Sequence, residues 1–326
     1  MPKPRKSIIN TSVTPFYHCI SRCVRRSYLC GQDPVTGESY EHRRQWVQDR
    51  LLELTKAFAI EVCSFAVMSN HVHVVLNVDS ELCSSWSTQE VLLNWSKVFK
   101  GDSLVQAYLS GEQLEKYELD CVFSTAETYR ARLQNISWFM RTLNEPIARQ
   151  ANQEDQCTGR FWEGRFKCQP LLDEAAVLSC MTYVDLNPIR ANIAKNLEES
   201  DHTSIQIRIR AAMQGKQPEE LKKFNEPEDK QKHNRLNFNL KDYLELVDAT
   251  GRVIRDDKAG AIKPSEAKLL NKLNISEKQW IHLSKSFEST FKGAVGKVSS
   301  IESFCEQQCY KKRVGLTASQ KYLEAG

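Results

Sequence analysis

The chain has 326 residues, with 45 Lys and Arg against 41 Asp and Glu, for a formal net charge of +4. So small an excess names no partner, and where the charges sit matters more than their sum. The length allows one substantial core and a second, smaller one; no apolar run is long enough to span a bilayer, and Met1-Pro2-Lys3-Pro4-Arg5-Lys6 has no apolar region behind its charges, so no signal peptide is expected.

Taken in order, residues 16–23 read as a first strand, followed by a loop holding Gly31, Asp33, Pro34 and Gly37. Residues 41–57 form an amphipathic helix, with Val47, Leu51, Leu54 and Phe58 on one face. Two strands, 60–67 and 71–78, are joined by a tight turn at Ser69-Asn70, and Ser87 with Glu90 makes a capping box for a helix with Val91, Trp95 and Val98 on its core face. Strand, helix, strand, strand, helix is a ferredoxin-like beginning and points to an α+β fold. From 100 to 130 the pattern weakens. A helix at 131–149 then carries the stripe Leu133, Ile136, Met140, Leu143 and Ile147, with Arg132, Arg141 and Arg149 read as a solvated side. Residues 161–171 are the last strand of this unit.

The next helix starts at Asp173, a good N-cap, and should end near Asn187 because Pro188 disfavours helical geometry in the residue before it. Tyr183 and Asn187 stand four residues apart on one stripe, above the small residues Ala176 and Ser179. Residues 211–237 are polar and read as a linker. Beyond it, Leu240, Leu244 and Val247 begin a helix, and Ser276 with Gln279 caps another with the stripe Trp280, Leu283, Phe287 and Phe291. The division expected is a first domain at 1–210, the linker, and a small helical domain at 238–326 whose role is open.

Two features carry chemistry. In the run Val67-Met68-Ser69-Asn70-His71-Val72-His73-Val74-Val75-Leu76, strand alternation points His71 and His73 to one face, where two imidazoles can share a metal ion. Taken singly, such a pair also fits a solvated strand face, and Tyr183 with Asn187 fits a core-margin aromatic and a terminal cap. Basic and flat side chains also gather. Arg22, Arg25 and Arg26 lie near the start, and Arg160, Arg165 and Lys167 alternate with Phe161, Trp162 and Phe166, a mixture suited to the phosphates and bases of a single strand. Arg190, just past the tyrosine helix, is a further candidate phosphate contact. The 11 cysteines include no Cys-x-x-Cys pair, and Cys19, Cys23 and Cys30 beside His18 make only a poor zinc site, so reduced thiols in a cytoplasmic protein are expected.

The pair His71-Val72-His73 with Tyr183-x-x-x-Asn187-Pro188 resembles the HUH single-tyrosine transposases, most closely the REP-associated tyrosine transposases. Tyr17-His18-Cys19-Ile20-Ser21-Arg22, Gly159-Arg160-Phe161-Trp162-Glu163-Gly164-Arg165-Phe166 and Asn187-Pro188-Ile189-Arg190 are similar too, over roughly residues 14–205, although Ser69 stands where many relatives have proline. The resemblance implies an HUH nuclease core built on a ferredoxin-like antiparallel sheet. It implies Tyr183 as nucleophile, with His71, His73 and Asn187 holding Mg²⁺ or Mn²⁺. It also implies a transposase that cuts and rejoins single-stranded DNA at hairpin-forming palindromic repeats through a 5′-phosphotyrosine, acting as monomer or homodimer. The alternatives are a non-cleaving nucleic-acid-binding protein of the same fold and an unrelated metal hydrolase using the histidine pair.

Overall fold

The computed structural model describes residues 8–24, 29–33, 37–226, 234–255, 261–310 and 315–324. In chain order the elements are β1 (Phe16–Arg22), α1 (Arg43–Leu54), β2 (Ile60–Val67), β3 (His71–Val78), α2 (Ser80–Ser85), α3 (Thr88–Ser96), α4 (Ser103–Ser110), α5 (Lys116–Leu133), α6 (Ile136–Glu154), β4 (Lys167–Leu171), α7 (Glu174–Asp185), α8 (Asn187–Arg190) and α9 (Ser204–Ala212). There follow β5 (Phe224–Asn225), β6 (Leu236–Asn239), α10 (Leu240–Ile254), α11 (Lys268–Leu273), α12 (Glu277–Thr290), α13 (Val298–Gln307) and α14 (Leu316–Tyr322).

The fold is α+β: an antiparallel sheet ordered β2-β3-β1-β4, with helices on both faces. Side chains alternate across a strand, so both faces must find cover. Tyr17, Cys19, Val72, Val74 and Leu76 pack under α1, α3, α5 and α6, while Cys63, Ala66 and Val75 pack under α7 and the C-terminal helices. No helix among the described residues is long and apolar enough to cross a membrane.

Several elements differ from the sequence reading. The weak stretch 100–130 folds as α4 and most of α5, both largely exposed helices whose short apolar stripes rest on α3 and each other. The helix expected at 131–149 is divided: α5 ends at Leu133, and Asn135 restarts the chain as N-cap of α6 by accepting from the backbone of Ser137 and Trp138. The last strand is confined to Lys167–Leu171, because 159–166 is a loop in which only Cys23 bridges Trp162. Asp173 caps α7 as expected, accepting from Ala176 N at 3.0 Å. That helix stops at Asp185, and Pro188 lies inside the short α8, where a missing N–H leaves no helical bond unmade.

Within 211–237, residues 227–233 lie outside those described. Before them, Leu221 and Phe224 are buried, and Lys222 pairs with Glu61 at 2.6 Å. The C-terminal helices share one apolar core with the tyrosine helix: Tyr243, Leu246, Trp280, Leu283 and Phe287 cluster with Cys180, Tyr183 and Val184. Near the start of α7 the chain segment around Val295 runs beside β4, Leu172 N donating to Val295 O at 2.8 Å and Val295 N to Pro170 O at 2.9 Å. Gly296 allows that approach, since a Cβ there would lie 2.8 Å from Asp173 Oδ2 and 2.9 Å from Leu172 Cβ.

Candidate functional site

Strand register assembles the site. Ile20 opposes His73 and Arg22 opposes His71 across β1 and β3, while His18 opposes Gln169 and Ile20 opposes Lys167 across β1 and β4. Directly paired residues share a face, so His18, Arg22, His71, His73, Lys167 and Gln169 all look toward α7 and α12. The two-residue turn at Ser69-Asn70, closed by Met68 N to His71 O at 2.8 Å, fixes the register of β2 against β3.

The side chains converge. The rings of His71 and His73 are 4.8 Å apart between centroids, and that of His73 is 5.9 Å from the Tyr183 ring. His73 Nδ1 lies 2.9 Å from His18 Nε2, and His71 Nδ1 lies 2.5 Å from Asn70 Oδ1, which can only accept. His71 therefore carries its proton on Nδ1 and keeps the Nε2 lone pair. Burial pushes His18 and His71 each down to about 4 and His73 well below the usual imidazole value, so all three are neutral near pH 7.

Asn187 is 7% exposed; its Oδ1 accepts from Arg190 at 2.9 Å, and its Nδ2 has no partner. Arg190 also donates to Tyr183 O and, at 3.0 Å, to Ser284 O, with its guanidinium carbon 3.8 Å from the centre of the Tyr183 ring. Burial lowers Arg190 to about 10, which leaves it charged. Tyr183 is 9% exposed, with Phe287 of α12 at 5.7 Å between ring centroids. Burial raises its phenol, and the Arg190 charge opposes that rise.

The donor set suits a divalent cation in part. His71 and His73 each have Nδ1 held by a neighbour, the arrangement that orients an imidazole for coordination through Nε2, and Asn187 Oδ1 retains a second lone pair beside its bond to Arg190. Among the described residues no group of three or more His, Cys, Asp and Glu side chains forms a metal cage.

The expected DNA contacts divide. Arg22, Arg160, Arg165 and Lys167 are exposed, Lys167 lying 3.0 Å from Glu288, and Arg25 and Arg26 fall outside the described residues. Trp162 is half-buried, donating its Nε1 to Asn144 O at 2.8 Å, and Phe161 and Phe166 are core. Arg190, expected at a phosphate, has its guanidinium held by Tyr183, Asn187 and Ser284. Charge pairing of Arg141 and Arg149 with Glu145 agrees with the solvated reading of that helix side. All 11 cysteines are thiols.

Sequence reading missed His18 as a partner of His73, and it missed Phe287, Ser284 and Glu288, which α12 brings over the site. The alternation His18, Ile20, Arg22 was a usable signal, because it places a third histidine on one strand face. Nothing local announces that residues about a hundred positions after Tyr183 cover it.

No protein-family model and no curated protein matches the chain. Among solved structures, a REP-associated tyrosine transposase bound to a REP hairpin is similar at a TM-score of 0.38 and 12% identity, over 67% of this chain and 89% of that one.

Proposed function

We propose that the chain cleaves and rejoins single-stranded DNA through Tyr183. The observation that carries this reading is the row of contacts His71, His73, Tyr183 and Arg190: two neutral imidazoles on one side of the phenol and a guanidinium over its ring. In the step envisaged, Tyr183 Oη attacks phosphorus, a tyrosyl ester to the 5′ phosphate forms, and the 3′ oxygen leaves as a hydroxyl. Rejoining is the reverse, with the bond energy kept in the ester.

His71, His73 and Asn187 would hold Mg²⁺ or Mn²⁺, which when bound neutralises charge on the non-bridging phosphate oxygens and orients them. Arg190 opposes the effect of burial on the phenol and fixes the Asn187 amide, while the unpartnered Asn187 Nδ2 is a donor suited to a phosphate oxygen. Arg22, Arg160 and Arg165 are exposed cations at the ends of the same strand face and its adjoining loop, where a DNA backbone would run. An HUH-type core on a ferredoxin-like sheet, hairpin-forming repeats as substrate and a transposition role belong to this same reading, as does its location in the cytoplasm.

A second reading is favoured by one observation: at 9% exposure under Phe287, Tyr183 is poorly placed for attack, which suits a protein that binds DNA without cutting. Labelled single-stranded DNA from palindromes flanking the gene, incubated with and without Mg²⁺ or Mn²⁺ beside Tyr183→Phe and His71→Ala proteins, separates the two. A metal-dependent covalent band, absent from both variants, supports strand transfer. Binding on a native gel with no covalent band supports the second.

A further inference from the structure

On the same face of the sheet as the histidines lies a cavity of about 560 Å³, walled by β1 and β4 on one side and the segment from α12 to α13 on the other. Its size falls in the range of small-ligand sites. The rings of Phe166, Phe291, Phe304 and Tyr310 line it, and at its exposed mouth stand Arg165, Lys167 and Lys292, with Glu288 beside Lys167. Flat apolar walls under a cationic rim match a ligand that is aromatic at one end and anionic at the other.

Two further observations say which ligand. His18 is part of the wall, and it stacks on His73 with 5.1 Å between centroids, His73 in turn lying 5.9 Å from Tyr183. The cavity is thus separated from Tyr183 by the His18 and His73 rings. On its other side, Arg165 and Phe166 also line a second groove of about 840 Å³, which contains Trp138, Arg141, Arg160 and Trp162. A chain of alternating phosphates and rings would find cations and aromatics in both.

We propose that the cavity takes one nucleobase of a single-stranded DNA, turned out of the strand and stacked among these rings, a step or so from the phosphate at Tyr183. Its place beside that phosphate rests on the strand-transfer reading. Arg165 and Lys292 hold the phosphates flanking the extruded base. The C-terminal segment that closes the cavity thereby selects which base can sit next to the cut.

The test uses the full chain as Tyr183→Phe, which leaves DNA uncut, and oligonucleotides from the flanking palindromes carrying 2-aminopurine at each position in turn. Stacking quenches this probe. One position is expected to lose emission severalfold on binding, and Ala294→Trp, which fills the cavity from its half-buried wall, is expected to restore it. An abasic residue at that position should weaken binding about tenfold or more, as loss of a stacked base does, and this arm needs no altered fold. If the wild-type covalent band forms while every probe position stays bright and every abasic site is tolerated, the base site is refuted and strand transfer stands. If no covalent band forms but one position is quenched and Ala294→Trp releases it, the base site stands without strand transfer. Neither signal overturns both.

Discussion

Arg190 and Tyr183 are locked together: the guanidinium carbon sits 3.8 Å from the centre of the phenol ring while the same group donates to the Tyr183 carbonyl. Because α7 ends at Asp185 and α8 starts at Asn187, Arg190 comes back over the helix end and reaches both Tyr183 and Asn187.

Arg190→Ala should therefore reduce covalent adduct formation about tenfold or more, the size expected for a lost charge-assisted contact. The positive charge opposes the effect of burial on the phenol, so the alkaline limb of the adduct-formation profile should move to higher pH in Arg190→Ala and return in part in Arg190→Lys. An unchanged pH profile would remove Arg190 from any role in ionising Tyr183.

The same end of α7 is tied down by a buried carboxylate. Asp185 accepts from Ser64 Oγ at 2.9 Å, Ser204 Oγ and Tyr243 Oη, joining α7 to β2, α9 and α10. Tyr243→Phe deletes one donor without changing shape, and should lower stability by about 1.5–3 kcal/mol in urea titration. A neutral result would mean that the network is redundant.

Stability should also fall in acid. His18 is 1% exposed and burial lowers it to about 4 from an ordinary 6.5. Between those values the unfolded chain holds a proton that the folded chain refuses, so the stability contribution is present above 6.5 and lost as pH falls toward 4. One such group sets a slope of about 1.4 kcal/mol per pH unit at most. Thermal unfolding of His18→Gln, followed in EDTA, should show a shallower decline than wild type over this window.

Thiol reactivity should follow burial. Cys23, Cys30, Cys63, Cys83, Cys180 and Cys305 are buried, whereas Cys121, Cys157 and Cys309 are exposed. Burial pushes Cys30 and Cys63 up to about 12 and Cys83 to about 11, where almost no thiolate exists at pH 8. Brief alkylation of the native protein followed by mass spectrometry should mark the three exposed cysteines first. Early labelling of Cys63 would contradict the packing of β2 against α7.

Gly296 admits no side chain where the C-terminal segment meets Asp173 and Leu172. Gly296→Ala should lower the unfolding temperature and loosen the hold of Lys297 N and Ser300 Oγ on Asp173 Oδ2, at 2.6 and 2.9 Å. Faster proteolysis near residue 296 would report that loosening.

Local rules made much of the fold legible. The alternation of β2 and β3, the capping boxes at Ser87 and Ser276 and the Asp173 cap each depend on residues within a few positions of one another, and each stands in the structure as read. Sharing of a face by His71 and His73 follows from strand geometry alone. The helices within 100–130, and with them the division at Asn135, were obscured because largely exposed helices have little apolar periodicity to display.

By itself, then, the sequence determined which residues could act and on which side of their own strand or helix they stand, because period and capping are short-range. Tertiary structure alone decided what meets across elements. The β1–β3–β4 register brought His18 to His73 and Gln169 to His18, the turn into α8 brought Arg190 over Tyr183, and a core shared with α10 and α12 laid Phe287 against the phenol. Those contacts join residues far apart in the chain, and apolar burial, which has no preferred direction along the sequence, selects them only once every face is covered together.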